Sequence, residues 1–186
     1  MKYKIDTDKI YSESELISLW EKQGKVRTPR VESKWLSPLA AKTLTGAIIA
    51  QDEKGNVLAH TGWIDLEDNL VLTGGVFVPK SNERKGLGTA LLHARDKLFG
   101  DKGVLSVTTN PSPTWIAKVS KLYPPVKKLT SIPEKYREQV KDALNHYKGI
   151  KRKDGTIVNA KVFYRPPKNK PMKKAWSIIK KEWWYD

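Results

Sequence analysis

The stretch Val76-Phe77-Val78-Pro79-Lys80-Ser81-Asn82-Glu83-Arg84-Lys85-Gly86-Leu87-Gly88-Thr89-Ala90-Leu91-Leu92 decides the fold. Its β-type apolar start stops at Pro79, and a polar loop follows. Gly86-Leu87-Gly88 then opens a run in which Ala90, Leu91, Ala94 and Leu98 recur at helical spacing. A strand, a glycine loop and a helix N-terminus leave backbone N–H groups unpaired at the positive end of the helix dipole, a site that suits an anion. Gly86 and Gly88 let a phosphate approach the main chain where a Cβ would obstruct it, and Arg84 and Lys85 add formal charge beside them. A pyrophosphate is the expected occupant; a helix-start turn whose glycines serve geometry alone is the plain alternative. The dinucleotide fingerprint needs a third glycine where Leu91 stands, and the P-loop needs a lysine and a spacing that this run lacks.

Upstream, Thr45 to Gln51, Val57 to Asp65 and Leu70 to Val78 read as three strands joined by the polar turns at 52–56 and 67–69, an antiparallel meander. Gly100 ends the helix that starts at Leu87, and Val104 to Thr109 reads as a further strand. Gly74-Gly75 inside the third strand marks a bulge or a close backbone approach. Ser12 with Glu15 forms a possible capping box for a first helix over Ser12 to Gln23. Helices are also expected over Pro113 to Tyr123 and Pro133 to Tyr147. Lys153-Asp154-Gly155-Thr156 reads as a turn into a strand over Val158 to Tyr164, and a short terminal helix is expected over Lys173 to Trp184.

The order of meander, phosphate loop, helix and strand resembles the core of the Gcn5-related N-acetyltransferase superfamily over residues 45 to 123. Its acetyl-CoA loop, [RQ]-x-x-G-x-[GA], is matched by Glu83-Arg84-Lys85-Gly86-Leu87-Gly88. Glu83 stands where that family prefers Arg or Gln, with Arg84 one residue later. The resemblance implies an α/β fold: a central, mostly antiparallel sheet flanked by helices, with two parallel strands splayed at the cofactor site. It implies acetyl-CoA or another acyl-CoA as cofactor. The binding residues it points to are Phe77, Val78, Arg84, Lys85, Gly86, Leu87, Gly88, Thr89 and Asn110. The strand from Gly74 to Val78 would act as a rail for the pantetheine amides, and segment 25–38 would cover the acceptor site.

The implied reaction is direct transfer of an acyl group to an amine. A backbone N–H near Phe77 or Val78 would polarise the thioester carbonyl. Leu122-Tyr123 occupies the place of the family's acid tyrosine, although Pro124-Pro125 follows it here in place of the family's usual ending. Asp65, Glu67 and Asp68 at the meander's second turn are candidate bases, against the bland reading of a solvated turn. His60 is a rival base with a side chain that titrates near neutrality.

Composition bounds the rest. The chain has 186 residues and no cysteine, which excludes a disulfide framework and a thiolate metal site; His60, His93 and His146 form no ligand cluster, so no metal is expected. With neither an apolar signal core nor a spanning stretch, a cytoplasmic protein without membrane contact is expected. The expected division is an acyltransferase domain over 1–165 and a basic, aromatic-rich extension over 166–186. Residues 1–110 carry 16 Lys and Arg against 14 Asp and Glu, whereas residues 111–186 carry 19 against 6, so nearly all of the net +15 lies after the loop and helix. Lysines interleaved with aromatics such as Phe163, Tyr164 and Trp176 are the footprint of DNA or RNA binding. They equally suit a solvated surface with packed tryptophans. The reading is an N-acyltransferase acting on an acidic or nucleic-acid-associated amine. The competing class is an inactive, nucleic-acid-binding relative of the same fold.

Overall fold

The structure is a computed structural model, and it describes residues 2–24 and 42–168. The expected terminal helix over Lys173 to Trp184, the covering segment 25–38 and the greater part of the 166–186 extension lie outside the described residues. Six strands form one sheet in chain order: β1 (Lys4–Ile5), β2 (Gly46–Gln51), β3 (Val57–Leu66), β4 (Leu70–Phe77), β5 (Gly103–Thr108) and β6 (Lys161–Arg165). All neighbours are antiparallel except β4 and β5. That parallel step follows from the crossover between them, which is a helix, α2 (Leu87–Phe99).

Helices cover both faces. On one side α2 and α3 (Pro113–Leu122) bury Leu87, Leu91, Leu92, Phe99 and Val119 against Ile48, Trp63, Val71, Val104 and Phe163. On the other, α1 (Glu13–Lys22) places Leu16 and Trp20 on Ala47, Ile49 and Val57, while α4 (Glu134–Tyr147) places Tyr136 and Val140 on Leu70, Leu72, Leu105 and Val162. Each such large apolar side chain contributes roughly 1.5–3 kcal/mol by leaving water. The expected capping box is present: Ser12 Oγ accepts from Glu15 N at 3.2 Å and Glu15 Oε2 accepts from Ser12 N at 3.2 Å. Gln23 then sews the end of α1 to the start of β3, donating to the Val57 carbonyl at 3.1 Å and accepting from its N–H at 2.6 Å.

Two elements differ from expectation. The two-residue β1 is too short to leave a sequence pattern. The turn at 153–156 forms, with Asp154 Oδ1 accepting from Thr156 N at 3.0 Å, but its flanks pair only through the single bridge of Lys151 with Ile157. Residues 161–165 instead join β5, from Val104 with Arg165 to Thr108 with Lys161.

Candidate functional site

The parallel ladder is short. It pairs Leu70 with Gly103 through Thr73 with Ser106 and stops, although β4 runs on to Phe77 and β5 to Thr108. The two strands part because β4 bulges. Thr61 pairs with Val76 and Trp63 with Thr73, so Gly74 and Gly75 together oppose Gly62. Past the bulge β4 keeps β3 as its partner (His60 with Phe77) and β5 keeps β6, leaving an opening bounded by Gly74–Phe77 and Val107–Thr108. Gly74 and Gly75 are exposed, and a Cβ built on either meets nothing within 4 Å.

The glycine loop lies over the same end of β4. A single 3-10 turn at Lys80–Asn82 follows Pro79, and Asn82 Nδ2 donates to the Leu58 carbonyl at 3.0 Å, which moors the loop to β3. Arg84 (φ 61) and Gly86 (φ 79) are both left-handed, and Gly86 caps α2. Its carbonyl takes the first helical bond, from Ala90 N at 3.0 Å, so the amides of Leu87, Gly88 and Thr89 have no helical acceptor. Glu83, Arg84, Lys85 and Gly86 are exposed. Lys85 Nζ donates back to the Ser81 carbonyl at 3.0 Å and so braces the turn.

Three neighbours at this site escaped the sequence reading. Lys118 on α3 donates from Nζ to Thr89 Oγ1 at 2.8 Å, bringing a cation to the first turn of α2. Trp115, three residues earlier, and Val78 both lie against Gly88. Tyr3 brings its hydroxyl near Gly86. The spacing of Trp115 and Lys118, one turn apart on the helix after β5, was the available signal. Asn110 stands exposed just past β5, where its Oδ1 accepts from Ser112 N at 2.9 Å ahead of α3.

The acid and base candidates are not brought to the opening. Asp65 and Glu67 lie at the other end of β3: Asp65 pairs with Val71, five residues from Val76 and so about 16 Å along the strand. Asp65 is ion-paired with Lys102 at 3.4 Å, and Lys135 pairs with both Glu67 and Asp68. Tyr123 ends α3 and is 0% exposed, ten residues and about 15 Å of helix from that helix's start. Burial, opposed by the nearby Arg95 charge, pushes its hydroxyl up to about 12, and that hydroxyl has no hydrogen-bond partner among the described residues. Such a group holds its proton but faces no opening through which to deliver it. His60 does lie beside Phe77, with ring centroids 5.2 Å apart, and its Nδ1 accepts from Trp20 Nε1 at 3.0 Å. In the neutral ring that bond places the proton on Nε2 and occupies the one lone pair a base would use.

A bulged β4 parting from a parallel β5 beneath a glycine loop defines the acyl-CoA N-acyltransferase fold of the Gcn5-related N-acetyltransferase superfamily. No protein-family model matches the sequence, and no curated protein matches it. Solved structures do. The ribosomal-protein-S18-alanine N-acetyltransferase of Escherichia coli superposes with TM-score 0.56 at 11% identity, over 89% of this chain and 94% of that one. N-acetylglutamate synthase of Neisseria gonorrhoeae, solved with coenzyme A and N-acetyl-glutamate, superposes with TM-score 0.50 at 16% identity over 91% of this chain. This chain spans only 36% of the synthase's length. At these identities the likeness is one of fold.

Proposed function

We propose that the chain is an acyl-CoA-dependent N-acyltransferase, with acetyl-CoA as donor and an amine on an acidic or nucleic-acid-associated molecule as acceptor. The observation that carries this reading is the parting of β4 and β5 after Thr73 and Ser106, directly below the glycine loop. The residues present fit the donor. Gly74–Phe77 have no ladder partner on β5 to compete with the amides of an extended arm. The amides of Leu87, Gly88 and Thr89, with Lys118 beside them, suit a pyrophosphate.

The bound donor would supply the activated thioester. The chain's part is to hold the donor's carbonyl against the β4 amides near Phe77 and Val78 and to align the amine with it. Orientation of this kind accounts for a large share of the barrier lowering, on the order of 7–11 kcal/mol in well-aligned systems. No side chain at the opening is assigned as acid or base.

Charge favours an acidic acceptor. The turn region over 150–158 is tied to the end of β5 by Arg152, whose Nη2 donates to the Thr109 carbonyl. It carries exposed Lys151 and Lys153 to that end of the sheet, and Lys148 stands just before it. An apolar cleft of about 460 Å³ between α3, β6 and residues 125–129 adjoins Lys161, the partner of Thr108, and has Lys127 on its rim. Such a field raises the encounter rate with a polyanion.

The test has two parts. Acetyl-CoA should raise the melting temperature, and mass spectrometry should find acylated product in pools of acidic protein, transfer RNA or DNA. No shift at millimolar acetyl-CoA would overturn the reading. A second reading, a binder of nucleic acid that transfers nothing, is favoured by the displacement of Asp65, Glu67 and Tyr123 from the opening. It expects no shift with acetyl-CoA, no acylated product, and nucleic-acid binding that weakens steeply with salt.

A further inference from the structure

The inward face of α2 reads Leu87, Leu91, Leu92, Phe99, and among them, at a position suited to another leucine, stands Arg95, 2% exposed. Burying a guanidinium costs several kcal/mol before its partners repay it. Burial lowers the Arg95 pKa from its ordinary value, while Tyr123 and Asp96 act to raise it.

Its bonds go to the sheet. Nη1 donates to Thr61 Oγ1 at 2.6 Å and to the Gly74 carbonyl at 3.2 Å. Thr61 is the β3 partner of Val76, on the far side of the bulge, and Gly74 is the first residue past the last rung between β4 and β5. A ladder continued in register would pair Gly74 with Val107; instead the guanidinium takes the Gly74 carbonyl and ties it to β3. Tyr123 and Asp96 help to offset the buried charge. Arg95 Nε and the Tyr123 hydroxyl both lack hydrogen-bond partners among the described residues, and Asp96 is paired with Arg165 at 2.8 Å.

We propose that Arg95 is a positioning residue for the donor: it fixes the Gly74–Gly75 bulge in the shape that keeps β4 away from β5, and so sets the opening along which the acyl-CoA arm lies. The proposal rests on the acyl-CoA reading above. It differs from a merely structural role in what it expects of substitution. A hydrophobic replacement of similar length removes the cost of burying the guanidinium while stranding the Thr61 hydroxyl and the Gly74 carbonyl; the two offset, so the larger loss should fall on donor binding.

Three proteins decide it: wild type, Arg95→Met and Arg95→Lys. Each is melted without ligand, titrated calorimetrically with acetyl-CoA, and followed by amide hydrogen exchange across 74–77. Arg95→Met should melt within a few degrees of wild type, bind acetyl-CoA at least tenfold more weakly, and exchange faster at 74–77. Arg95→Lys, which keeps one cation in reach of the Gly74 carbonyl, should fall between. Where Arg95→Met fails to fold, Arg95→Lys decides on the same readouts, and wild-type affinity with wild-type exchange would overturn the role. Wild-type protein that ignores acetyl-CoA defeats the acyl-CoA reading and the donor-positioning role with it. Normal wild-type binding with unaltered variants defeats the Arg95 proposal alone.

Discussion

Replacing Gly88 by alanine should move stability and donor binding in opposite directions. The added methyl would sit 3.5 Å from Trp115 Cζ3 and 3.6 Å from Val78 Cγ2, ordinary contacts that require no neighbour to shift. Gly88 is the second residue of α2, so without ligand the change gains up to about 1 kcal/mol of helix stability. In a chain of this size that is roughly 2–4 °C in melting temperature. The same methyl packs between Val78 and Trp115 at the first turn of α2, where the proposed donor's pyrophosphate would meet the bare amides. A tenfold loss of affinity, about 1.4 kcal/mol, is the smallest effect expected. At 100-fold excess over the wild-type Kd, ligand stabilises by about 2.7 kcal/mol, and a tenfold weaker complex by about half that. Differential scanning fluorimetry with and without acetyl-CoA therefore reads both effects on one sample. An alanine variant that melts higher and keeps the full ligand shift would refute the placement of the donor at Gly88.

Tyr123→Phe should keep turnover within about twofold, because its hydroxyl is buried and unpartnered; a hundredfold loss would restore it as the acid. The same variant checks its titration. The hydroxyl titrates at about 12 when folded against an ordinary 10, so the unfolded chain releases its proton first. Stability is then lost as pH rises from 10 to about 12, and denaturant titrations across that range should show less loss in the phenylalanine variant. Asp65→Asn and Glu67→Gln should leave kcat/KM within about twofold, since both acids face lysines at the far end of the sheet; a large loss in steady-state assays would contradict that geometry. Lys118→Met should weaken acetyl-CoA binding about tenfold in calorimetry and reduce its salt dependence, as expected for a lost charge-assisted phosphate contact. Trp20→Phe removes the hydrogen bond from Trp20 Nε1 to the buried His60 Nδ1 and should cost about 1–3 kcal/mol in urea denaturation, with m unchanged.

The parts of this fold legible in the sequence were those set by local chemistry. The Gly86-Leu87-Gly88 step, the caps at Ser12 and Gly100 and the turn at Asp52-Asn56 each depend on a few adjacent residues, and each forms. The glycine pair in β4 was readable as a bulge because few other reasons place two glycines in a strand. What stayed hidden depends on register between distant segments. Asp65 is an exception that the turn at Glu67-Asp68-Asn69 did reveal: it folds Val71 back onto Asp65, with the whole of β4 between them and the glycine loop. Tyr123 ends its helix as expected, but the direction of α3 relative to the opening comes from packing against Val104 and Phe163. Arg95 looked like one more charged residue on an amphipathic helix. Only the crossing of α2 over β3 and β4 turns that position inward.

One close contact at the start of β5 fixes where Pro167 and Lys168 lie. Gly103 begins β5 with no room for a Cβ: the ring of Pro167 would stand 2.7 Å from it, and Lys168 N donates to the Asp101 carbonyl at 2.9 Å. Pro167 and Lys168 therefore lie at the pole where β5 starts, about 17 Å of strand from the pole where acylation is proposed. Lys168 and the lysines at 151 and 153 thus stand at opposite ends of the sheet. A long polyanion could engage both poles at once, whereas a short acidic peptide would meet only one.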